Sequence, residues 1–408
     1  MKSKIATIAI LVFMILPVSF ALISRCNEKR EGNDGVKATP PDVKVLSHDP
    51  KLKGYVLSAP YTLLKWNKGQ LLITDLDGNA IAERNAPGAV YDFRQWKIKG
   101  KVYYTYMIND TNAFHIRRIA LTAGYAVLLD AALNEIKQMH LLPHNDIVLD
   151  NRQELDMHDF ILLSENHYIA CASYEKKVNN IPGNLKPDKN LKVAANIIQE
   201  VENGKVIWQW DATQYPEFYT TSSEKNIYIS AVMTQDYLHI NSMIIDPRDS
   251  NLICSFRSTD QVVKINRHTG NIMWRLGGKN SDFPLKDSMV FQRQHHATLS
   301  DNNKTLLLLD NGDSTKRKIS RVLEFGLDEK HKKIISFKAF TIPAPYNQYM
   351  GSVSKQNGHY FIGGGTGKYA LEVDPKTGTK GYESRNEKLS YRQYLVESIY
   401  GLEKGVTK

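Results

Sequence analysis

The sequence predicts an all-β protein built as a six-bladed propeller. Three observations carry this. From about residue 53 onward the chain is short β-rich runs broken by turn residues, among them YVLSAP, QLLITDLDG, KVYYTYM, HYIACASY, LLLLDNGD and GHYFIGGG. Convincing helical periodicity is scarce. One hairpin type also recurs six times, as ITDLDGNAIAE, LLDAALNEIKQ, QEVENGKVIWQW, VKINRHTGNIMWRL, FGLDEKHKKIISF and LEVDPKTGTK. Its Asp-Gly and Asn-Gly turns supply the positive φ that tight hairpins need. Six hairpins over roughly 340 residues give modules of about 50–70 residues, each about four strands. A lone module would expose a sheet face, and radial packing covers it. A solenoid or a pair of sandwiches is the alternative architecture.

Before the propeller, Lys2 and Lys4 precede the uncharged stretch Ile5–Ile23, and Ser19-Phe20-Ala21 offers small residues for cleavage. Residues 1–25 therefore read as a signal peptide or a signal anchor. Residues 26–45, with Pro40, Pro41 and many charges, read as a tether, and 46–408 as the propeller with a C-terminal closing segment. Export to the periplasm or cell envelope is expected, with membrane anchoring left open. Arg25 stands where a lipoprotein needs a small residue before Cys26. Cys171 and Cys254 lie in apolar strand runs and read as buried thiols rather than a disulfide.

Charged residues at 24% and hydrophobic ones at 42% describe a globular chain, and the formal net charge of +10 favours anionic partners. No dense Lys/Arg tract or nucleic-acid motif is present, so the expected anion is a small acidic substrate or a membrane surface rather than nucleic acid. The sequence also lacks a P-loop, a dinucleotide fingerprint and G-x-S-x-G.

Three consecutive modules open alike: MHDFILLSENHYIACASY, YLHINSMIIDPRDSNLICSFRSTD and QHHATLSDNNKTLLLLDNGD. Counting back from each turn, His158, His239 and His295 lie 6, 7 and 5 residues ahead, and His295 fits this register better than His296. Neighbours in a strand face opposite sides, so His296 is expected to point away from the channel and pack between blades. The first strand of each blade lines a propeller's channel, so the three histidines should converge there. The second hairpin pivots near Arg248, which sets Arg257 opposite His239. Three His could bind Zn²⁺, but a cation beside Arg257 is disfavoured, and no metal is expected. Asp310 and Asp313 in DNGD read as a turn. Tyr91 is a candidate for stacking on an aromatic ligand, against core packing as the blander reading.

The stretches HDF, DYLHINSMIIDPRDSNLICSFRS, GNIMWRLGG, QHHA and LLLLDNGD with Ser320-Arg321, through to the C-terminal YRQYLVESIYG, resemble the bacterial arylsulfate sulfotransferases. The resemblance implies a six-bladed propeller of the cell envelope. It further implies transfer of a sulfuryl group from an aryl sulfate to a phenol, with no nucleotide sulfate donor and no cofactor. By motif, His295 would be the transiently sulfated nucleophile. His239 and Arg257 would form the His–Arg pair, Asn241 of the His-x-Asn element a substrate contact, and His158 the remaining His. Many members carry an additional small N-terminal β domain, whereas here the propeller is expected to begin almost directly after the tether. The Cys pair of those members with a disulfide near the channel has no counterpart in this sequence.

Such a set suits the chemistry. Attack at sulfur needs a neutral imidazole nitrogen, an Arg can grip sulfuryl oxygens bidentately, and a second His can pass a proton to the leaving phenolate and take one from the incoming phenol. Sequence leaves His158 and His239 open for that role. A non-catalytic envelope propeller binding an anion or partner protein, and an aryl sulfate hydrolase, are the competing readings.

Overall fold

The structure is a computed structural model. It describes residues 43–62, 69–109, 123–145, 155–224, 226–300, 303–400 and 402. Residues 1–42, which contain the expected signal region and most of the expected tether, lie outside the described residues. Six antiparallel sheets form the six blades. In blade 1 the order from axis to rim is Leu389–Val396, Tyr55–Tyr61, Gly69–Thr74, Ala80–Ala86. The last strand of the chain is thus the innermost strand of the first blade, which closes the ring. Blade 2 runs Val90–Ile98, Lys101–Asn109, Ala123–Leu129, Glu135–Met139. Blade 3 runs Phe160–Ser164, His167–Lys177, Lys192–Glu202, Lys205–Asp211. Blade 4 runs Ile240–Ile245, Leu252–Phe256, Gln261–Ile265, Ile272–Gly277, and blade 5 His295–Leu299, Thr305–Asp310, Arg321–Asp328, Lys333–Thr341. Blade 6 runs Ser352–Gln356, His359–Gly363, Tyr369–Val373, Lys380–Asn386, with Val43–His48 added as a fifth strand at its rim. Val43–Val45, assigned to the tether from sequence, belong to this added strand.

All six recurrent hairpins turn out to be the same element, the connection between the third and fourth strands of a blade. Apolar burial follows the same sixfold plan. The interior divides into six clusters, one at each interface between neighbouring blades. Both faces of each sheet are therefore covered, as radial packing requires. Cys171 and Cys254 sit in the cluster between blades 3 and 4, both buried and both free thiols.

Near the axis the ladders are interrupted. Register shifts fall between Tyr91 and Arg94, Ile240 and Ser242, His295 and Thr298, and across Ser58–Pro60 opposite Ser390–Gln393. Such bulges re-aim side chains that strict alternation would send to opposite faces. They sit at the entrance of the inner strands, and this fixes where the site lies.

Candidate functional site at the channel entrance

Hydrogen bonds from blade to blade reveal which inner-strand residues are equivalent. Asp159 Oδ2 accepts from Met243 N at 2.6 Å, and Ser242 Oγ accepts from Ala297 N at 2.8 Å. His296 Nδ1 lies 3.1 Å from Val353 N and 3.0 Å from Val353 O, and Ser352 Oγ accepts from Gln393 N at 3.0 Å. Each side chain reaches the residue after its counterpart in the next blade. Asp159, Ser242, His296, Ser352 and Arg392 therefore form one level, and Asp92, paired with Arg392, completes it. The preceding residues form the adjacent level: Tyr391, Tyr91, His158, Asn241, His295 and Gly351, one from each blade. Four of the six residues chosen from sequence lie in this second ring.

His295 is buried, and its two nitrogens are distinguishable. Nδ1 lies 2.7 Å from the carbonyl of Gly351, which can only accept, so Nδ1 carries the proton. Nε2 then holds the lone pair and faces Tyr391 Oη at 3.0 Å. Burial, and after it the Arg392 charge, push the His295 pKa well below the ordinary imidazole value, although the Gly351 hydrogen bond acts the other way. The ring is neutral at neutral pH. Gly351 can present its carbonyl because its φ is +96°, and an added Cβ would sit 2.6 Å from both Asn347 Nδ2 and a Leu309 methyl. Tyr391 is protonated and a donor: burial first, and then Asp159, Asp92 and Asp156, hold its phenol well above the ordinary value against the pull of Arg392.

His158 and His239 meet directly. Their Nε2 atoms are 3.1 Å apart, with rings edge-on at a centroid distance of 4.6 Å. Each Nδ1 is backed by a carboxylate, Asp156 for His158 and Asp236 at 2.6 Å for His239. Burial raises the Asp156 carboxyl, but His158, a hydrogen bond from Ser173 and the His239 charge together leave its pKa below the ordinary value. His158 also packs edge-on to Tyr391 at 5.8 Å, so Tyr391 bridges the dyad and His295. His239 is not the blade equivalent of His158. It lies two residues before Asn241 with φ +60°, and the bulge beyond Ile240 brings it in.

The backbone register expected for Arg257 is present, since its N–H donates to His239 O at 3.0 Å. Its guanidinium, however, is held by Glu224 at 2.6 Å and stacks on Tyr349 at 5.4 Å. Arg293, two residues before His295, shares the same Glu224. Asn241 is fully buried. Its Nδ2 donates to Gln294 O at 2.7 Å, and its Oδ1 has no hydrogen-bond partner. Tyr91 packs against Tyr61 at 5.0 Å and Tyr391 at 5.8 Å. His296 is buried between blades 5 and 6, 5.9 Å from the Tyr394 ring.

The sequence reading missed Tyr391, Arg392 and the carboxylates. Arg392 is wholly buried. It bonds Asp92 and Asp159 at 3.1 Å each, His158 O at 3.0 Å and Asn241 O at 2.7 Å. Arg94 completes this charge cluster through Asp92 at 3.0 Å and Tyr394 Oη at 2.8 Å. Burial raises the Asp92 carboxyl, yet Arg392 and Arg94 together leave its pKa below the ordinary value. One guanidinium thus ties blades 1 to 4 together beneath the histidines. The available signal was an arginine inside LSYRQYLV, a strand buried along most of its length, where an unpaired charge is too costly to persist.

Among the described residues, the one group with metal-ligand spacing is Asp246, Asp249 and Glu329. Lys264 Nζ stands 2.7 Å from Asp246 and Asp249 and 2.8 Å from Glu329, so an ammonium takes the cation's place. Asp310 of DNGD is paired with Arg317 and Arg321 at 2.6 and 2.7 Å, and Asp313 accepts from Thr315 N, as in a turn.

The arylsulfotransferase (ASST) pattern matches residues 63–392. The chain belongs to that family. The match spans blades 1 to 6 and ends at Arg392, so it contains the whole axial ring. The family's general activity is aryl sulfuryl transfer, with aryl sulfates and phenols as substrates. No curated protein matches the chain. Similar solved structures include a protein of unknown function from Bacteroides caccae at 12% identity and TM-score 0.45, covering 85% of this chain and 100% of that one. Apo AztD from Citrobacter koseri has 9% identity and TM-score 0.41, with 85% and 98% covered. The periplasmic gluconolactonase PpgL of Pseudomonas aeruginosa has 11% identity and TM-score 0.43, with 84% and 99% covered. At these values the structural likeness carries nothing about function.

Proposed function

We propose that the protein moves a sulfuryl group from an aryl sulfate to a phenol in two steps, through a covalent sulfo-histidine at His295. The supporting observation is the fixed tautomer of that residue. A carbonyl holds the proton on Nδ1, and burial keeps the ring neutral, so Nε2 offers a lone pair. In the first step Nε2 attacks sulfur, the S–O bond to the aryl group breaks, and the phenolate leaves with the bonding pair.

The dyad supplies the proton for that phenolate. With Nδ1–H of both rings donating to carboxylates, a hydrogen bond between the Nε2 atoms requires one further proton. Three protons on four nitrogens leave His158 and His239 together with one positive charge. This proton passes to the departing phenolate. The emptied dyad then takes the proton of the acceptor phenol, whose oxygen attacks sulfur and releases His295. Asn241 Oδ1 is suited to accept the hydrogen bond of the incoming hydroxyl. Arg257 binds sulfuryl oxygens by exchanging its contact with Glu224 for them. Arg392 does not take this role, because its terminal nitrogens are already committed. We place the reaction in the periplasm or cell envelope, following the N-terminal signal.

The test is rapid quenching with a chromogenic aryl sulfate and no acceptor, followed by peptide mass analysis. The expected result is one equivalent of phenol released in a burst and a +SO₃ peptide containing His295. A modification on another residue, or phenol release unaffected by a second phenol, defeats the proposal. The latter outcome favours the hydrolase.

A further inference from the structure

The ring residues stand at the entrance of the inner strands. The loops that enter those strands, and those joining second to third strands, therefore share the site's face. Its loops carry Ile227, Ile229, Val232 and Met233 in one segment, with Val290, Ile319 and Tyr349 nearby in the fold's topology; all are exposed. Val232 is 77% exposed and Ile229 65%. Loops of the opposite face carry only Tyr400 among the described residues. Ile136, Ile207, Met273 and Ile335 are also exposed, one to a blade at the start of a fourth strand toward the opposite face. Such scattered exposure needs no explanation, but four exposed apolar side chains within residues 227–233 do.

The segment is held in this posture. Ile227 N donates to Gln235 Oε1 at 2.6 Å, Asp188 N to Tyr228 O at 2.8 Å, and Ser223 N to Ser258 O at 2.6 Å. Tyr228 is buried while Ile227 and Ile229 on either side of it point outward. Exposed Lys286, Lys316 and Lys318 lie on the same loops as Val290 and Ile319. An apolar rim with interspersed lysines fits an anionic lipid surface, with side chains entering the acyl boundary and ammonium groups meeting headgroups.

The N-terminal side of the chain points the same way. Val43 pairs with Asn386, at the end of the fourth strand of blade 6, just before the chain turns into the inner strand at Leu389. The chain thus enters the fold on the site's face. Residues 24–42 separate it from the uncharged stretch 5–23, which has the length to span a bilayer. Nineteen residues reach about 65 Å fully extended and roughly 25 Å as a coil. A retained segment would hold that face close to the membrane.

We infer that the protein docks the face bearing the channel entrance onto an anionic bilayer surface through the 227–233 loop. This inference does not depend on the chemistry assigned to His295. The test uses the full chain in a Cys26→Ser background, with an environment-sensitive fluorophore on Val232→Cys or, as control, on Tyr400→Cys. In vesicles containing phosphatidylglycerol, the label at 232 shifts to the blue and loses most of its quenching by aqueous iodide, while the label at 400 stays aqueous. High salt or pure phosphatidylcholine weakens the shift. Two aqueous labels, or two equally shifted ones, overturn the proposal. So does a shift at 232 produced by a phenol acceptor without lipid, which would make the loop a substrate lid. Aryl sulfate turnover in detergent reads the catalytic proposal separately.

Discussion

Two rings one residue apart make opposite use of similar side chains. In the ring of Tyr391, Tyr91, His158, Asn241, His295 and Gly351, polar groups are arranged around a lone pair, a shared proton and an amide oxygen without a partner. In the ring of Arg392, Asp92, Asp159, Ser242, His296 and Ser352, they are spent on neighbouring blades. His295 and His296 show the contrast at its smallest scale. Both are buried and both have pKa values pushed well down, by burial and then by Arg392. What separates them is the partner of Nε2, which for His295 is the hydroxyl that reaches into the site. Position along the strand, rather than residue type, decides between chemistry and support.

The sharpest break of this comparison exchanges the two histidines' fates. In His295→Asn, the amide can still donate to Gly351 O, so the fold persists while sulfuryl transfer falls by about 10⁴-fold or more. In His296→Asn, turnover of folded protein stays within about tenfold, and the loss is in thermal stability. Steady-state rates beside melting curves for both variants decide it. Equal catalytic losses would mean that the rings are not functionally distinct.

Next in size is the support ring's charge cluster. Arg392→Met leaves Arg94 to balance the charge of both Asp92 and Asp159 and strips the Arg392 donors from His158 O and Asn241 O. Breaking a buried, hydrogen-bonded ion cluster from one side costs about 3–5 kcal/mol. Denaturant unfolding should show this, with Arg392→Lys, which keeps the charge and loses the fork, in between. A loss below about 1 kcal/mol would show that the cluster does not hold the blades together.

Much of this layout is legible from sequence because it repeats. Six hairpins give six blades, and the openings of the modules place His158 and His295 at the axis. Two failures have physical causes. The offset of His239 looked equivalent to the others because counting residues does not register a bulge and a positive φ between it and Asn241. The side chain of Arg257 left its backbone register for Glu224, a partner 33 residues away on a loop. Pairing rules fix neighbours along strands, whereas ionic partners arriving from loops follow no period. Tyr391 and Arg392 were hidden for another reason. They enter blade 1 only through ring closure, so their nearness to His158 is a property of the whole circle.

A smaller effect tests what the two rings share. His295 and His296 are neutral in the fold, with pKa values below the ordinary ~6.5 that they regain on unfolding. As pH falls through that value, the unfolded chain binds protons that the native one refuses. Stability therefore declines with acidification, at about 1.4 kcal/mol per pH unit for each group until the native pKa is reached. Above about pH 7 their contribution is flat. Chemical unfolding between pH 7 and 5 should give a slope approaching two protons, falling by one in His296→Asn. An unchanged slope would mean that His296 is charged or exposed in solution.

The smallest expected effect concerns Tyr391, where two influences compete and the sign of the outcome is the information. Its hydroxyl donates to Nε2 of His295 in the resting site, on the lone pair that must attack sulfur. If the hydroxyl only shields that lone pair, Tyr391→Phe frees the nucleophile and speeds the sulfation step. If it shifts its hydrogen bond to a sulfuryl oxygen as the N–S bond forms, it stabilises developing charge in a buried site, and its removal slows the step. A single donor of this kind is worth about 10²–10³-fold where charge gathers on one oxygen. Here the charge is spread over three oxygens and the resting hydrogen bond offsets part of the gain, so a loss of roughly 10–100-fold is expected. Single-turnover release of phenol isolates the step, and the acceptor half-reaction should change less, because the dyad rather than Tyr391 handles the acceptor's proton. A faster sulfation step in Tyr391→Phe would make the tyrosine a guard of the nucleophile and leave the gripping of sulfuryl oxygens to Arg257.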